Sequence, residues 1–354
     1  MLLAGPVALL VAAALTWFGT PTARVPGPTA EAVVDGPGAQ LLRVAVSARD
    51  PQVRASVWRR CAGPGCTHPW LVVAVTGDGF VHRTLAGPWP ADDVRVTATA
   101  HARFLLHVDG VPGFLLDADG NRRTPGLPGR AAPLRGGELL LGTLAVDPDT
   151  GRTHRLPLLS GTHGLVATED SRLTGVTADA LVTSVDGGAT WRRTALPADG
   201  SVTVPLTSAR PDIVAALRGD QGVTWLPVTQ ALRSVGGRTT LVRVPQQPGA
   251  RPFVDAGLVL PDGSLLVDVV AWSSDRNGDH VGSVGPFVTD QGRWRSWHPL
   301  VPPRTPELRA LRRHPLRLVG SVVRSGGAVA LLASGTRAVA VDTAHRLWVP
   351  IRVR

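Results

Sequence analysis

The sequence has no lysine and no tyrosine, a single methionine, and only two isoleucines, Ile213 and Ile351. Depletion this broad reads as a GC-rich codon bias acting on the whole chain. All 37 basic side chains are therefore arginine, and their abundance is not in itself a functional signal. A net charge of +10 would ordinarily bring nucleic acid forward as a partner. Here the arginines are scattered, with no run beyond pairs such as Arg59-Arg60, Arg192-Arg193 and Arg312-Arg313, which argues against nucleic acid. Cysteine is almost as scarce. Cys61 and Cys66 bracket Ala-Gly-Pro-Gly, with only His68 nearby. Two thiols and one imidazole cannot close a tetrahedral zinc site, and C-x4-C is not the C-x-x-C of redox enzymes. The pair closes a small disulfide loop in an oxidising compartment or remains as two thiols in a reducing one. G-x-S-x-G, H-E-x-x-H and P-loop signatures are absent. No cofactor or metal is expected.

Charge is also missing from the N-terminus. Leu2 to Phe18 is uncharged and mostly apolar, and the first charge is Arg24. Seventeen residues stand at the lower edge of what spans a bilayer, and Trp17 suits the interface. A basic n-region and an A-x-A site are lacking, which weakens the signal-peptide alternative. The absence of a cysteine just after the run argues against a lipoprotein. The expected organisation is a hydrophobic anchor or signal segment over residues 1–20, a Pro/Gly-rich linker over 21–40, and one domain over 41–354. That domain would stand at the outer face of the membrane or be secreted.

Long helices are disfavoured next. Forty glycines and 31 prolines punctuate 354 residues, while 44% of residues are hydrophobic and 18% charged. A large core with many breakers predicts short strands and turns, an all-β fold. Apolar runs bounded by Gly, Pro or Asp recur at Trp70–Val75, Phe104–Val108, Glu138–Leu144, Asp212–Leu217, Ser264–Val270 and Gly327–Leu332.

One motif stands out. Ser184-Val185-Asp186-Gly187-Gly188-Ala189-Thr190-Trp191 follows the run Ala180–Thr183 and precedes Arg192–Leu196. Asp accepts backbone N–H groups in a tight turn, the glycines allow positive φ, and the tryptophan covers a neighbouring hairpin. The pattern S-x-D-x-G-x-T-W, carried by Ser184, Asp186, Gly188, Thr190 and Trp191, resembles the Asp-box, or BNR repeat, of sialidase-like β-propellers. Degenerate copies are Asp149, Gly151 and Thr153, with His154 at the tryptophan position, and Asp220, Gly222, Thr224 and Trp225, with Arg218 at the serine position. Asp290-Gln291-Gly292 and Thr76-Gly77-Asp78-Gly79 look like shortened or eroded copies. Asp149, Asp186, Asp220 and Asp290 stand 37, 34 and 70 residues apart. Periods of that size, at about 45 residues per blade, predict a propeller of six or seven four-stranded blades. A tail strand, Arg337–Val341 or Trp348–Val353, would complete the first blade and close the ring.

The resemblance implies a sialidase chemistry that the residues do not support. That family uses a Tyr nucleophile, a Glu, an Asp acid/base and three Arg that clamp a carboxylate, and this chain has no Tyr. Arg24-Val25-Pro26 and Arg243-Val244-Pro245 resemble the family's Arg-Ile-Pro motif only loosely. The acidic turns Asp275–Asp279, Asp117–Asn121 and Asp147–Asp149 read as ordinary turn chemistry. Trp294 and Trp297, near His298, read as blade packing in preference to a sugar platform. The leading expectation is a monomeric, extracytoplasmic, non-catalytic propeller that binds a glycan or protein partner. The alternatives are a sialidase-like exo-glycoside hydrolase with a changed nucleophile and an assembly factor for a membrane complex.

Overall fold

The computed structural model describes residues 28–47, 52–61, 69–88, 94–99, 101–108, 111–197, 202–219, 228–236, 238–243, 251–275, 278–290, 293–297, 316–324, 327–345 and 348–353. The fold is an all-β propeller of seven blades. Blade 1 comprises Gln40–Val46, Arg54–Arg60, Trp70–Gly77 and Phe80–Pro88, paired antiparallel in chain order. Blades 2, 4, 5 and 7 repeat that meander, opening at Arg95–Ala98, His163–Ala167, Val202–Pro205 and Arg317–Arg324. Blade 3 is built from Leu139–Leu141, Leu144–Val146 and Thr153–Arg155, and Pro128–Gly129 joins its last strand in parallel. Blade 6 runs from Arg251–Val259 to Arg293–Ser296, and Thr207–Ser208 adds in parallel to its first strand. The first strands begin at residues 40, 95, 139, 163, 202, 251 and 317, so the chain has blades without a fixed period.

Middle strands show why simple alternation is a poor guide here. Trp70–Gly77 is buried along nearly its whole length. A blade's inner strands are covered on both faces by neighbouring blades, so both sets of side chains turn apolar. The run expected over Glu138–Leu144 is split into two short strands by a turn with Gly142 at φ +59°.

First strands of adjacent blades touch: Gln40–Val46 lies against Arg95–Ala98 on one side and Arg317–Arg324 on the other. The ring closes without strand exchange, which corrects the expected tail strand. Arg337–Asp342 and Trp348–Ile351 both belong to blade 7. The closure is a clasp instead. The Val353 carbonyl accepts from Ser56 Oγ at 2.6 Å and Trp58 Nε1 at 3.2 Å, both in blade 1. Trp58 Nε1 also donates to Ser56 Oγ at 2.8 Å, and Trp58 is fully buried. Gly320 leaves the space that close approach needs: a Cβ there would stand 2.0 Å from the Val44 carbonyl oxygen.

The stretch expected as a linker contains one six-residue helix, α1 (Ala30–Asp35). Thr29 caps it by accepting from Ala32 N–H at 3.2 Å. Val33 and Val34 are buried in the core cluster of blades 1 and 7, and Asp35 pairs with Arg83 at 2.7 Å. Residues 1–27, including the expected anchor, lie outside the described residues. Among the described residues no helix is long and apolar enough to cross a membrane. Cys61 follows the second strand of blade 1, and Cys66 lies outside the described residues.

Candidate functional site

The turn Ser184–Trp191 joins the third and fourth strands of blade 4. Asp186 Oδ1 accepts from Thr190 N–H at 2.8 Å and Oδ2 from Thr190 Oγ1 at 2.6 Å. Ser184 Oγ donates to Asp186 at 2.7 Å and accepts from Gly188 N–H at 2.7 Å. The Thr190 hydroxyl, then its N–H, then Ser184 hold the Asp186 carboxyl down at about 2. Gly187 and Gly188 have φ of +69° and +98°. The Gly187 carbonyl accepts from Leu134 N–H at 2.8 Å, and Trp191 Nε1 donates to the Pro157 carbonyl at 2.9 Å. The side chains of Ser184, Asp186 and Thr190 thus bond within the turn, while Gly187 and Trp191 bond to Leu134 and Pro157, on either side of blade 3. The turn fastens one blade to the next and leaves its carboxylate no reactive role.

The other motif residues are placed differently. Around Asp149, Gly151 and Thr153 the turn is closed by Asp147, which accepts from Asp149 N–H at 2.9 Å and Thr150 Oγ1 at 2.7 Å. Asp149 itself pairs with Arg103 at 3.3 Å. This turn joins the second and third strands of blade 3. Asp220, Gly222, Thr224 and Trp225 lie outside the described residues, in the connection between the second and third strands of blade 5. Arg218, ahead of that connection, is buried and donates to the Pro197 carbonyl at 3.3 Å. Asp78, in blade 1, and Asp290, in blade 6, share the third-to-fourth position. Asp117 closes its own turn on Asn121, at 2.8 Å and 3.0 Å. Trp297 is buried in a core cluster, and Trp294 packs against another. Arg24-Val25-Pro26, Val244, Pro245 and His298 lie outside the described residues.

A cleft of about 740 Å3 opens between blades 5 and 6. One wall is the outer hairpin of blade 5, Val228–Val235 and Arg238–Arg243, which supplies Arg233, Thr240, Leu241, Val242 and Arg243. The other is the first turn of blade 6, Asp262–Leu265, with Thr289 beneath it. Asp262 Oδ1 accepts from Ser264 N–H at 2.9 Å and Ser264 Oγ at 2.6 Å, and Thr289 Oγ1 accepts from Leu265 N–H at 2.7 Å. Asp262 Oδ1 and Thr289 Oγ1 are thus engaged within blade 6. Gly263, at φ +83°, lets the Arg233 guanidinium approach, since a Cβ there would lie 2.9 Å from Arg233 Nη2. Arg233 is half-buried, and its Nε is buried with no acceptor among the described residues. Arg243 and Leu241 are exposed, Leu241 by 46%. The rim therefore offers two guanidinium groups beside an apolar side chain. Guanidinium binds carboxylates in a two-bond fork. No motif marks these residues in the sequence. Gly236-Gly237 between two β-prone runs signals the hairpin, but the cleft arises only when two blades meet.

No protein-family model matches the sequence, and none of the curated proteins matches it. Among solved structures, Sqt1 of Chaetomium thermophilum is similar at 12% identity over 87% of this chain and 83% of that one, with a TM-score of 0.38. The β-propeller domain of the Trilobed protease of Pyrococcus furiosus is similar at 8% identity over 89% and 86%, with a TM-score of 0.35. The sialidase of Trypanosoma rangeli is similar at 11% identity over 69% and 44%, with a TM-score of 0.29. Likeness at this level carries no argument about chemistry.

Proposed function

We propose that the chain is a non-catalytic binding propeller of the Asp-box, sialidase-like kind, which takes a carboxylate-bearing glycan or protein segment in the cleft between blades 5 and 6. The observation that carries this reading is the pairing of Arg233 and Arg243 with exposed Leu241 on one rim. The carboxyls of Asp117, Asp147, Asp179, Asp186, Asp212 and Asp342 all sit below the ordinary carboxyl value. A glycosidase's general acid needs the opposite shift. The five turn hydrogen-bonding positions Ser184, Asp186, Gly188, Thr190 and Trp191 support the Asp-box assignment.

The proposed setting is the outer face of a membrane, with residues 2–18 as anchor or export signal. Cys61 is not a free thiol, which supports a Cys61–Cys66 bridge and an oxidising compartment. The test is titration of the full chain, and of the double variant Arg233→Gln/Arg243→Gln, with fluorescent polyglutamate and oligogalacturonate. Binding of at least one polymer, weakened by salt and by the double substitution, is expected. Equal binding by both proteins would place the ligand elsewhere, and turnover of a fluorogenic sialoside would sink the non-catalytic reading.

A further inference from the structure

The outer edge of blade 5 narrows the ligand to one class. Arg238–Arg243 is the terminal strand of its sheet, and among the described residues no strand pairs with its free side. Its partner strand joins it through the two-residue connection 236–237, with Val235 opposite Arg238, Arg233 opposite Thr240 and Ala231 opposite Val242. In a hairpin with a two-residue loop, the pair that flanks the loop exchanges both ladder hydrogen bonds, and every second pair after it does the same. Thr239, Leu241 and Arg243 therefore turn their backbone N–H and C=O groups outward. The Arg243 carbonyl agrees with this geometry, since it accepts from Trp294 Nε1, which belongs to blade 6. That bond marks one end of the edge. Thr239 and Leu241 hold the stretch between it and the loop.

Natural sheets guard such edges with proline, a bulge or an inward charge. The sequence Arg-Thr-Thr-Leu-Val-Arg has none of these between its two terminal arginines, and its pairing register is unbroken. Five of the six residues are exposed and Val242 is half-buried. The cleft runs along this edge, so a segment laid on the strand would set alternate side chains into it. Arg238 and Arg243 stand at the two ends of the strand, and Arg233 lies within the cleft. Asp262, on the facing wall, accepts from Ser264 at one carboxylate oxygen.

We infer that this edge is a docking strand for an extended acidic segment of a partner protein. The segment adds as a fifth strand to blade 5, with backbone hydrogen bonds to Thr239 and Leu241, apolar side chains on the face of Leu241, and carboxylates on the opposite face, toward Arg233. Main-chain pairing would supply affinity, and the arginines would choose acidic sequences. This rests on the carboxylate-binding reading above and deepens it.

The test uses the full chain and a fluorescent ten-residue peptide of alternating Glu and Val. Its controls are the same peptide N-methylated at every residue, the Lys-for-Glu peptide, and oligogalacturonate. N-methylation keeps every charge and removes the donors that an added strand requires. The Glu-Val peptide is expected to bind, and Arg233→Gln is expected to weaken it about tenfold, the loss of one charge-assisted contact. N-methylation is expected to abolish binding, and the Lys peptide is expected not to bind. Equal binding of the methylated peptide overturns strand addition. Binding of oligogalacturonate without the Glu-Val peptide overturns the peptide ligand and leaves carboxylate binding standing. Failure of every carboxylate probe overturns both.

Discussion

At the scale of single residues, the chemistry of this protein lies in turns. Asp186 is held at about 2 by Thr190 and Ser184, against an ordinary value of 3.8. A carboxyl depressed in the folded state contributes stability that is fully present above its unfolded value and lost as pH falls through its folded one. The wild-type protein is therefore expected to lose thermal stability between about pH 4 and pH 2, the span between those two values. In Asp186→Asn that part of the pH slope is expected to vanish, with a lower melting temperature at neutral pH; scanning calorimetry across the acid range reads both. Gly187 makes a sharper case. Its φ is +69°, and a Cβ would stand 2.2 Å from the Leu134 carbonyl oxygen. Gly187→Ala is expected to destabilise by about 2 kcal/mol or more, the sum of a left-handed penalty and a clash with backbone, measured by urea unfolding. These residues were legible in the sequence because turn chemistry is local. Asp149 was legible only as part of an acidic turn, since the cap comes from Asp147, two residues earlier. A degenerate repeat does not say which of two nearby aspartates points inward.

At the scale of strands and blades, the apolar runs read well and the pairing read less well. Phe104–Val108 and Gly327–Leu332 are visible as apolar segments bounded by Gly, Pro or Asp, and both form strands, the second running on to Ser334. The parallel additions of Pro128–Gly129 to blade 3 and Thr207–Ser208 to blade 6 are not visible, because two-residue strands carry no pattern of their own. The closing device departs from the expected tail strand for a similar reason. A tail strand looks the same in sequence whether it pairs with the first blade or the last. The clasp rests instead on one carbonyl, that of Val353, and on Ser56 and Trp58. Trp58→Phe keeps most of the apolar volume and removes the indole donor. It is expected to cost about 2 kcal/mol, through a small cavity and an unsatisfied carbonyl, with the loss seen in equilibrium urea unfolding. Removal of residues 352–354 should produce a loss of similar size, and Trp58→Phe in that shortened chain should add little, because the two changes break one contact.

At the scale of the whole molecule, seven blades of unequal length form a ring, and the cleft belongs to no single blade. Its arginines are distant in sequence from Asp262 and Thr289, so composition and motif could not assemble it. Arginine abundance reads as a codon effect; position, not number, distinguishes Arg233 and Arg243. A ligand bound there through charge should respond to salt. Raising ionic strength from about 0.05 M to about 0.5 M is expected to weaken polyglutamate binding severalfold, since screening shortens the reach of the two guanidinium groups. The melting temperature without ligand should change far less over the same range.

The most direct measurement is backbone hydrogen exchange on the full chain, with and without polyglutamate. Slowed exchange confined to residues 238–243 and the facing turn 262–265 is the expected result, with Thr239 and Leu241 most affected. Protection at the central ends of the first strands, or none at saturating polymer, would contradict a binding role for this cleft.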